Sequence, residues 1–280
     1  MIDPIVAEDL IDRALAEDIG FCDLTSELVI PAEARAELAL NARQDIVVAG
    51  MGVAAQVFRR RVPECRVELR VTDGDRVKAG AAMVRVEGPA RGLLTVERTA
   101  LNFLQHLSGI ATLTAQYAER IAGTRAVLID TRKTTPGLRA LEKHAACVGG
   151  ARNHRLRLDD GVLIKDNHIS VCGSITAAVT RARGGVPVLT KIEVECDTLE
   201  QVKEALQAGA DMIMLDNMSV EDMRRAVALS GGRTPLEASG GVRLDTIRAI
   251  AETGVDFISV GRITQSAPAV DIGLDAVIKA

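Results

Sequence analysis

The chain has 280 residues, enough for one large core or two smaller ones, and 48% of them are hydrophobic. A formal net charge of −4 excludes a surface built throughout to neutralise nucleic acid or an anionic membrane. With aromatics at 2%, no Trp and one Tyr, there is little from which to build base-stacking platforms or interfacial belts, so any anion site must be local.

Five cysteines form no CxxC pair and leave an odd one over, which suits reduced thiols rather than a disulfide framework. The first twenty residues are acidic and amphipathic, not basic then apolar, and no apolar run approaches the roughly 20 residues that span a bilayer. The expectation is a cytoplasmic protein.

Along residues 4–19, Ile5, Leu10, Ile11, Leu15 and Ile19 recur at near-helical spacing and Gly20 supplies a stop, predicting an amphipathic helix. Strand-like runs follow at 36–41, 45–49, 65–71 and 82–87, with a turn at Asp73-Gly74-Asp75 and a helix near 53–61. Gly50-Met51-Gly52-Val53-Ala54-Ala55 imitates a dinucleotide-binding fingerprint. The second parallel strand with its ribose-binding acid does not follow, so these glycines are packing and turn residues. Residues 71–88 resemble a lipoyl or biotin carrier hairpin, but no lysine sits at an evident tip. Residues 91–117 predict one long helix, or two joined at Gly109.

From about Ala126 the texture changes to short apolar runs, each followed by a helical pattern: 126–129, 162–164, 188–194, 212–215, 236–238 and 257–260. Strands alternating with helices imply a parallel sheet. The residues ending those runs are Asp130, Lys165, Glu195, Asp216, Ser239 and Gly261, which favours closure into a β/α barrel with its site on the face where strand ends converge. The fold class expected is α/β: an N-terminal α+β domain over 1–108, a C-terminal β/α barrel of about six parallel strands over 109–268, and a tail over 269–280 that packs back on the first domain.

Three of the four histidines and eight cations lie between Arg132 and His168. A charge run is most often a solvated face. Here Arg132, Lys133 and Lys165 are placed by strand ends, and arginine forks grip carboxylate or phosphate while lysine adds a point charge, so the segment points to a di- or polyanion. Zinc held by His144, Cys147, His154 and His168 fails on ligand spacing. Lys191, Glu193 and Glu195 alternate with apolar residues and share one strand face. Glu195 with Asp216 could hold a hard cation, or an internal salt bridge to Lys191 or Lys165 could account for them equally well. Ser239-Gly240-Gly241 and Gly261 allow backbone N–H groups to approach an oxyanion, although a tight turn explains the first trio alone.

The strings Asp130 through Gly137, Asn153-His154-Arg155, Ile164 through His168, Ile192 through Glu195, Leu215-Asp216-Asn217 and Ala238 through Gly241 occur in one order. Together with Glu17 through Gly20, Asp23 through Ser26 and Glu97 through Asn102, they resemble the quinolinate phosphoribosyltransferase family over nearly the whole chain. The resemblance implies condensation of quinolinate with 5-phosphoribosyl 1-pyrophosphate to nicotinate mononucleotide, pyrophosphate and CO2, with Mg2+ required. It implies that Arg98, Arg132, His154, Arg155 and Lys165 bind the two quinolinate carboxylates and that Lys133 sits between the substrates. Glu195 and Asp216 would bind Mg2+ and the ribose hydroxyls, and Ser239, Gly240, Gly241 and Gly261 the 5-phosphate. Arg98 is expected to come from the neighbouring subunit of a homodimer. Gln265 departs from the family's pattern, where a histidine is expected, and this puts a secondary phosphate contact in question. Competing readings are a related protein of molybdate-transport operons, a carrier module on the 71–88 hairpin, and a Schiff-base aldolase using Lys165 or Lys191.

Overall fold

The amphipathic spacing at the start of the chain produces helix α1 (Pro4–Ile19), which ends where Gly20 turns left-handed at φ +56°. The structure is a computed structural model and describes residues 4–276. After α1 come α2 (Leu24–Val29), β1 (Arg35–Ala42), β2 (Ile46–Val47), α3 (Met51–Arg61), β3 (Arg66–Leu69), β4 (Arg76–Val77), β5 (Ala82–Pro89) and α4 (Ala90–Arg120). The strand–helix alternation then runs β6 (Val127–Ile129), α5 (Arg139–Val148), β7 (Val162–Ile164), α6 (Asp166–Cys172), α7 (Ile175–Gly185), β8 (Ile192–Cys196), α8 (Leu199–Gln207) and β9 (Met212–Asp216). It ends with α9 (Val220–Ser230), β10 (Leu236–Ser239), α10 (Ile247–Ala251), β11 (Phe257–Ser259), α11 (Arg262–Gln265) and β12 (Ile272–Ala276).

Two compact units result, and neither is a single stretch of chain. One gathers the residues up to Ala115, Thr134–Gly150 and those from Ile263; the other holds Gln116–Lys133 and Ala151–Arg262. In the first, antiparallel strands lie in the order β12-β1-β5-β3, with Ile272 of β12 opposite Ala42 of β1. Residues 277–280 of the expected tail lie outside the described residues. Helix α2 was not legible as a helix. Its signal is Asp23, whose carboxylate accepts from Ser26 N–H at 3.1 Å as an N-cap.

Residues 90–120 form one helix rather than two, and Gly109 has a different job from the joint expected of it. A Cβ there would sit 2.2 Å from the Pro268 carbonyl oxygen, so the glycine lets the chain that returns to β12 cross the helix backbone. Gly50 is a packing and turn residue: it has φ +93°, and a Cβ would meet the Leu107 side chain at 2.7 Å.

The second unit is a six-stranded parallel sheet ordered β6-β11-β10-β9-β8-β7. The first strand pairs with the last, as in a rolled sheet, and the one sequential pair without a ladder among the described residues is β6 with β7. There Arg152 bridges to Ile129 instead. On β8, Ile192, Val194 and Cys196 are fully buried on one face, each worth about 1.5–3 kcal/mol for the aliphatic pair, while Glu193 and Glu195 alternate onto the other. The strand starts later than the apolar run at 188–194 suggests. Pro187 opens a turn closed by Thr190 N–H on its carbonyl at 2.9 Å, leaving Val188 and Leu189 99% and 95% exposed.

Substituting Gly109→Ala should destabilise the protein by about 1–3 kcal/mol, because backbone rather than a flexible side chain must yield. Urea unfolding of the two proteins checks this; equal midpoints would show that the crossing relaxes freely.

Candidate active site

Because side chains alternate across a strand, residues of one parity on each strand of the second unit share a face. Thr131 after β6, Leu163 and Lys165 from β7, Glu195 from β8, Met214 and Asp216 from β9, Glu237 and Ser239 from β10 and Ser259 from β11 all line a single cavity of about 510 Å³. Contributions from all six strands around one cavity mean that the sheet is rolled about it. Its size suits a small ligand.

Arg132, Lys133, His154 and Arg155 line one side. Thr131 Oγ1 accepts the Lys133 N–H at 3.0 Å, turning the chain as it leaves β6. The 153–155 segment is tied to the fully buried Asp130, which accepts from Asn153 Nδ2 at 2.6 Å and His154 N–H at 2.8 Å. Arg155 also donates to the Gly161 carbonyl at 2.9 Å. Burial, and then the positive charge of Arg132, pull the Arg155 pKa below the usual guanidinium value, although Glu193 and Asp160 oppose the shift. A guanidinium remains charged regardless, so an anion beside Arg155 would offset the effect of the neighbouring Arg132 charge.

Opposite them, Lys165 Nζ contacts Glu195 Oε2, which answers in part the question of what holds that acid. Asp216 accepts from Asn217 Nδ2 at 2.7 Å. Asn217 is the one non-glycine residue with positive φ, +54°, among the described residues, and its N–H donates to Ser239 O at 2.9 Å. Gly240 makes this possible: with φ +88°, a Cβ there would overlap Asn217 Oδ1 at 2.2 Å.

Of the residues singled out in the sequence, Arg132, Lys133, His154, Arg155, Lys165, Glu195, Asp216, Ser239, Gly240 and Gly241 meet at this cavity. Gly261 follows β11 but does not line it. Arg98 is exposed on α4, in the other compact unit. Lys191 is exposed ahead of β8, and His168 Nδ1 accepts the Lys165 N–H at 2.9 Å, starting α6. The Cys196 thiol, pushed up to about 12 by burial, is no nucleophile.

The site also contains Glu193, which the strand alternation placed on the inner face, and Glu237, an acid that sequence reasoning passed over. Glu237 is fully buried and Glu193 is 5% exposed; His154 Nε2 lies 2.8 Å from Glu193 Oε2 and 3.5 Å from Glu237 Oε2. This trio is the cluster of metal-ligand type found among the described residues, and it is not the Glu195–Asp216 pair. Counted as charged acceptors, Glu193 Oε1, both Glu237 oxygens and Ser259 Oγ have no partner. Burial first, and then the neighbouring Glu193 charge, raise the Glu237 pKa well above the ordinary carboxylate range. As a neutral acid, Glu237 can donate to Glu193 and accept from Ser259, which satisfies the orphaned atoms. An acid between apolar neighbours, two residues before Ser239 on a buried strand, was the available signal.

The chain matches the family model described as quinolinate phosphoribosyl transferase, N-terminal domain, over residues 23–108 and the C-terminal domain model over 110–275. The chain belongs to the quinolinate phosphoribosyl transferase family. It is 44% identical over 275 residues to the nicotinate-nucleotide pyrophosphorylase [carboxylating] of Mycobacterium leprae, covering 96% of each chain. It is 40% identical over 269 residues to the probable enzyme of that name from Bacillus subtilis, covering 96% of this chain and 93% of the relative. Its fold is similar to NadC from Streptococcus pyogenes, with a TM-score of 0.94 at 40% identity over 99% of both chains. The nicotinate-nucleotide pyrophosphorylase from Francisella tularensis superposes with a TM-score of 0.95 at 38% identity, over 99% of this chain and 98% of that one. No helix is long and apolar enough to cross a membrane among the described residues.

The raised Glu237 pKa carries a stability consequence. Above about pH 4.3, the usual glutamate value, the unfolded chain has released a proton that the folded protein still holds. The native state then binds more protons, so this group's contribution is largest in acid and declines as pH rises toward the folded pKa, by up to about 1.4 kcal/mol per unit. Glu237→Gln keeps a neutral buried group and should flatten the decline. Urea unfolding of both proteins at pH 5, 6 and 7 measures it, and parallel profiles would mean that Glu237 is ionised in the fold.

Proposed function

We propose that the chain transfers the phosphoribosyl group of 5-phosphoribosyl 1-pyrophosphate to quinolinate with loss of CO2, giving nicotinate mononucleotide and pyrophosphate for NAD biosynthesis. The observation that carries this reading is the division of one cavity between two neighbouring arginines, Arg132 and Arg155, and a carboxylate–glycine rim. The molybdate-operon reading is not favoured, since curated relatives at 40–44% identity bear the pyrophosphorylase name. The protein acts as a cytoplasmic homodimer in this reading.

Arg132, His154, Arg155 and Lys165, with Arg98 from a second subunit, make the quinolinate end. Their guanidinium, ammonium and imidazole groups match a planar dicarboxylate, and arginine forks fix its orientation. Lys133 stands at the junction with the sugar phosphate. Ser239, Gly240, Gly241 and Gly261 receive the 5-phosphate through hydroxyl and backbone N–H groups.

The pyridine nitrogen attacks the anomeric carbon as its bond to pyrophosphate breaks, and the positive charge building on the ribose is stabilised by Glu195 and Asp216. Two carboxylates at a strand-end rim are hard-oxygen donors of the kind magnesium takes, with remaining ligands from water and phosphate, so this pair fits the ion. Glu195 and Asp216 would hold Mg2+ there, which would supply charge neutralisation for the leaving pyrophosphate. The carbon–carboxylate bond then breaks, CO2 departs, and the electron pair left on the ring carbon is stabilised by the adjacent pyridinium nitrogen until a proton from water replaces the carboxylate. No protein nucleophile is needed.

Incubation with quinolinate, phosphoribosyl pyrophosphate and Mg2+ should release CO2 and nicotinate mononucleotide in equal amounts. No release would overturn the assignment, and turnover of nicotinate instead would reassign it. Lys133→Ala should lower kcat/KM by about 10²–10³, the usual cost of losing one preorganised charge at a developing anion.

A further inference from the structure

The turn that follows β9 depends on Asn217, which lines the cavity together with Asp216, Ser239 and Gly240. Its backbone N–H donates to the Ser239 carbonyl at 2.9 Å, carrying the β9–β10 ladder one step past the Asp216–Ser239 register pair. Its Nδ2 donates to Asp216 Oδ2 at 2.7 Å. Its amide group lies against Gly240, where a Cβ would be 2.2 Å from Oδ1 and 2.5 Å from Cγ. The simplest explanation is a turn residue, since φ is +54° and asparagine enters left-handed backbone more readily than most residues with a side chain. A turn alone would be served better by glycine, which pays nothing for that conformation. Glycine would leave Asp216 without the amide donor and Gly240 without the group packed on it, so backbone conformation does not account for the side chain.

We propose that Asn217 is a positioning residue for the phosphoribosyl donor: its side chain holds the Asp216 carboxylate, assigned to the ribose hydroxyls and magnesium, in register with the Ser239–Gly241 turn, assigned to the 5-phosphate. The proposal deepens the phosphoribosyl-transfer reading and rests on it. Ribose hydroxyls and 5-phosphate belong to one small ligand, so the spacing of the two protein groups decides whether both are engaged at once. Asp216 ends β9 and Ser239 ends β10, adjacent strands in the middle of the sheet order, whereas Arg132 and Lys165 follow β6 and β7 at its two ends. The amide of Asn217 therefore serves the donor contacts and leaves the quinolinate contacts alone. A primary amide suits the task, because its N–H edge gives a carboxylate the donor it accepts and brings no charge of its own.

The test is isothermal titration calorimetry of the full chain, with 5-phosphoribosyl 1-pyrophosphate in the presence of Mg2+ and, separately, with quinolinate alone. The parent is compared with Asn217→Gly and Asn217→Ala. Asn217→Gly keeps the left-handed turn and removes only the amide, so it should fold with a urea midpoint close to that of the parent. It should weaken donor binding about tenfold, as for loss of one hydrogen bond to a charged group, and leave the quinolinate Kd within about twofold. In steady-state kinetics the donor KM should rise by a similar factor while the quinolinate KM holds. Asn217→Ala should weaken the donor at least as much and also lower the urea midpoint, because a methyl group is forced into left-handed backbone.

Donor binding by Asn217→Gly that equals the parent's overturns the proposal and leaves Asn217 a turn former only. An equal loss of both ligands overturns it too, since a general loosening of the strand ends gives that result. A parent that binds neither ligand removes the functional reading and the proposal with it. A parent that turns over quinolinate beside an Asn217→Gly protein of unchanged donor affinity removes the proposal alone, so the two failures are distinguishable.

Discussion

Charge in the cavity is held by strand alternation: the same β8 residues that seal the outer face of the sheet with Ile192, Val194 and Cys196 must send Glu193 and Glu195 inward. An acid turned into a rolled parallel sheet has only limited water to rely on, so each needs a partner or a proton. Glu195 takes Lys165, Glu193 takes His154, and Glu237 keeps its proton. The three acids thus differ in what answers them. The rim acid is held by a lysine, whereas the deeper acids are answered by a histidine and by a retained proton.

That depth gradient explains which parts of the site could be read from the sequence. Strand-end residues such as Arg132, Lys133, Lys165, Asp216 and Ser239 announce themselves by following apolar runs, and the cavity gathers them. Glu237 is hidden by the same logic, since it lies within a buried run and a single acid there looks like noise in a strand pattern. The hydrogen bonds of His154 were equally illegible, because Glu193 is 39 residues away and only the fold brings the two together. Arg98 came from family resemblance and Gly261 from its place after the last apolar run, and neither lines the cavity of the second unit.

Elements were legible where period and punctuation agreed, as in α1 with Gly20 and in the six parallel strands. They were misjudged where composition spoke for conformation. Val188 and Leu189 are apolar, yet Pro187 puts them in a turn. Gly109 suggested a break, yet helix propensity yields to packing: the residue costs its helix about 1 kcal/mol and admits the Pro268 carbonyl at a distance no side chain would tolerate. The two compact units also interleave along the chain in a way that no linear boundary captures.

In the proposed reading, Arg132 and Arg155 set the direction of specificity. Burial and the neighbouring Arg132 charge lower the Arg155 pKa, and a bound carboxylate gains by offsetting that repulsion. A monoanion can relieve it at one point, while a rigid dicarboxylate can answer several cations at once. Selection for two carboxylates therefore does not require a wall that repels one. It follows from a cationic site whose backbone, tied to Asp130 and His154, cannot relax the charges apart.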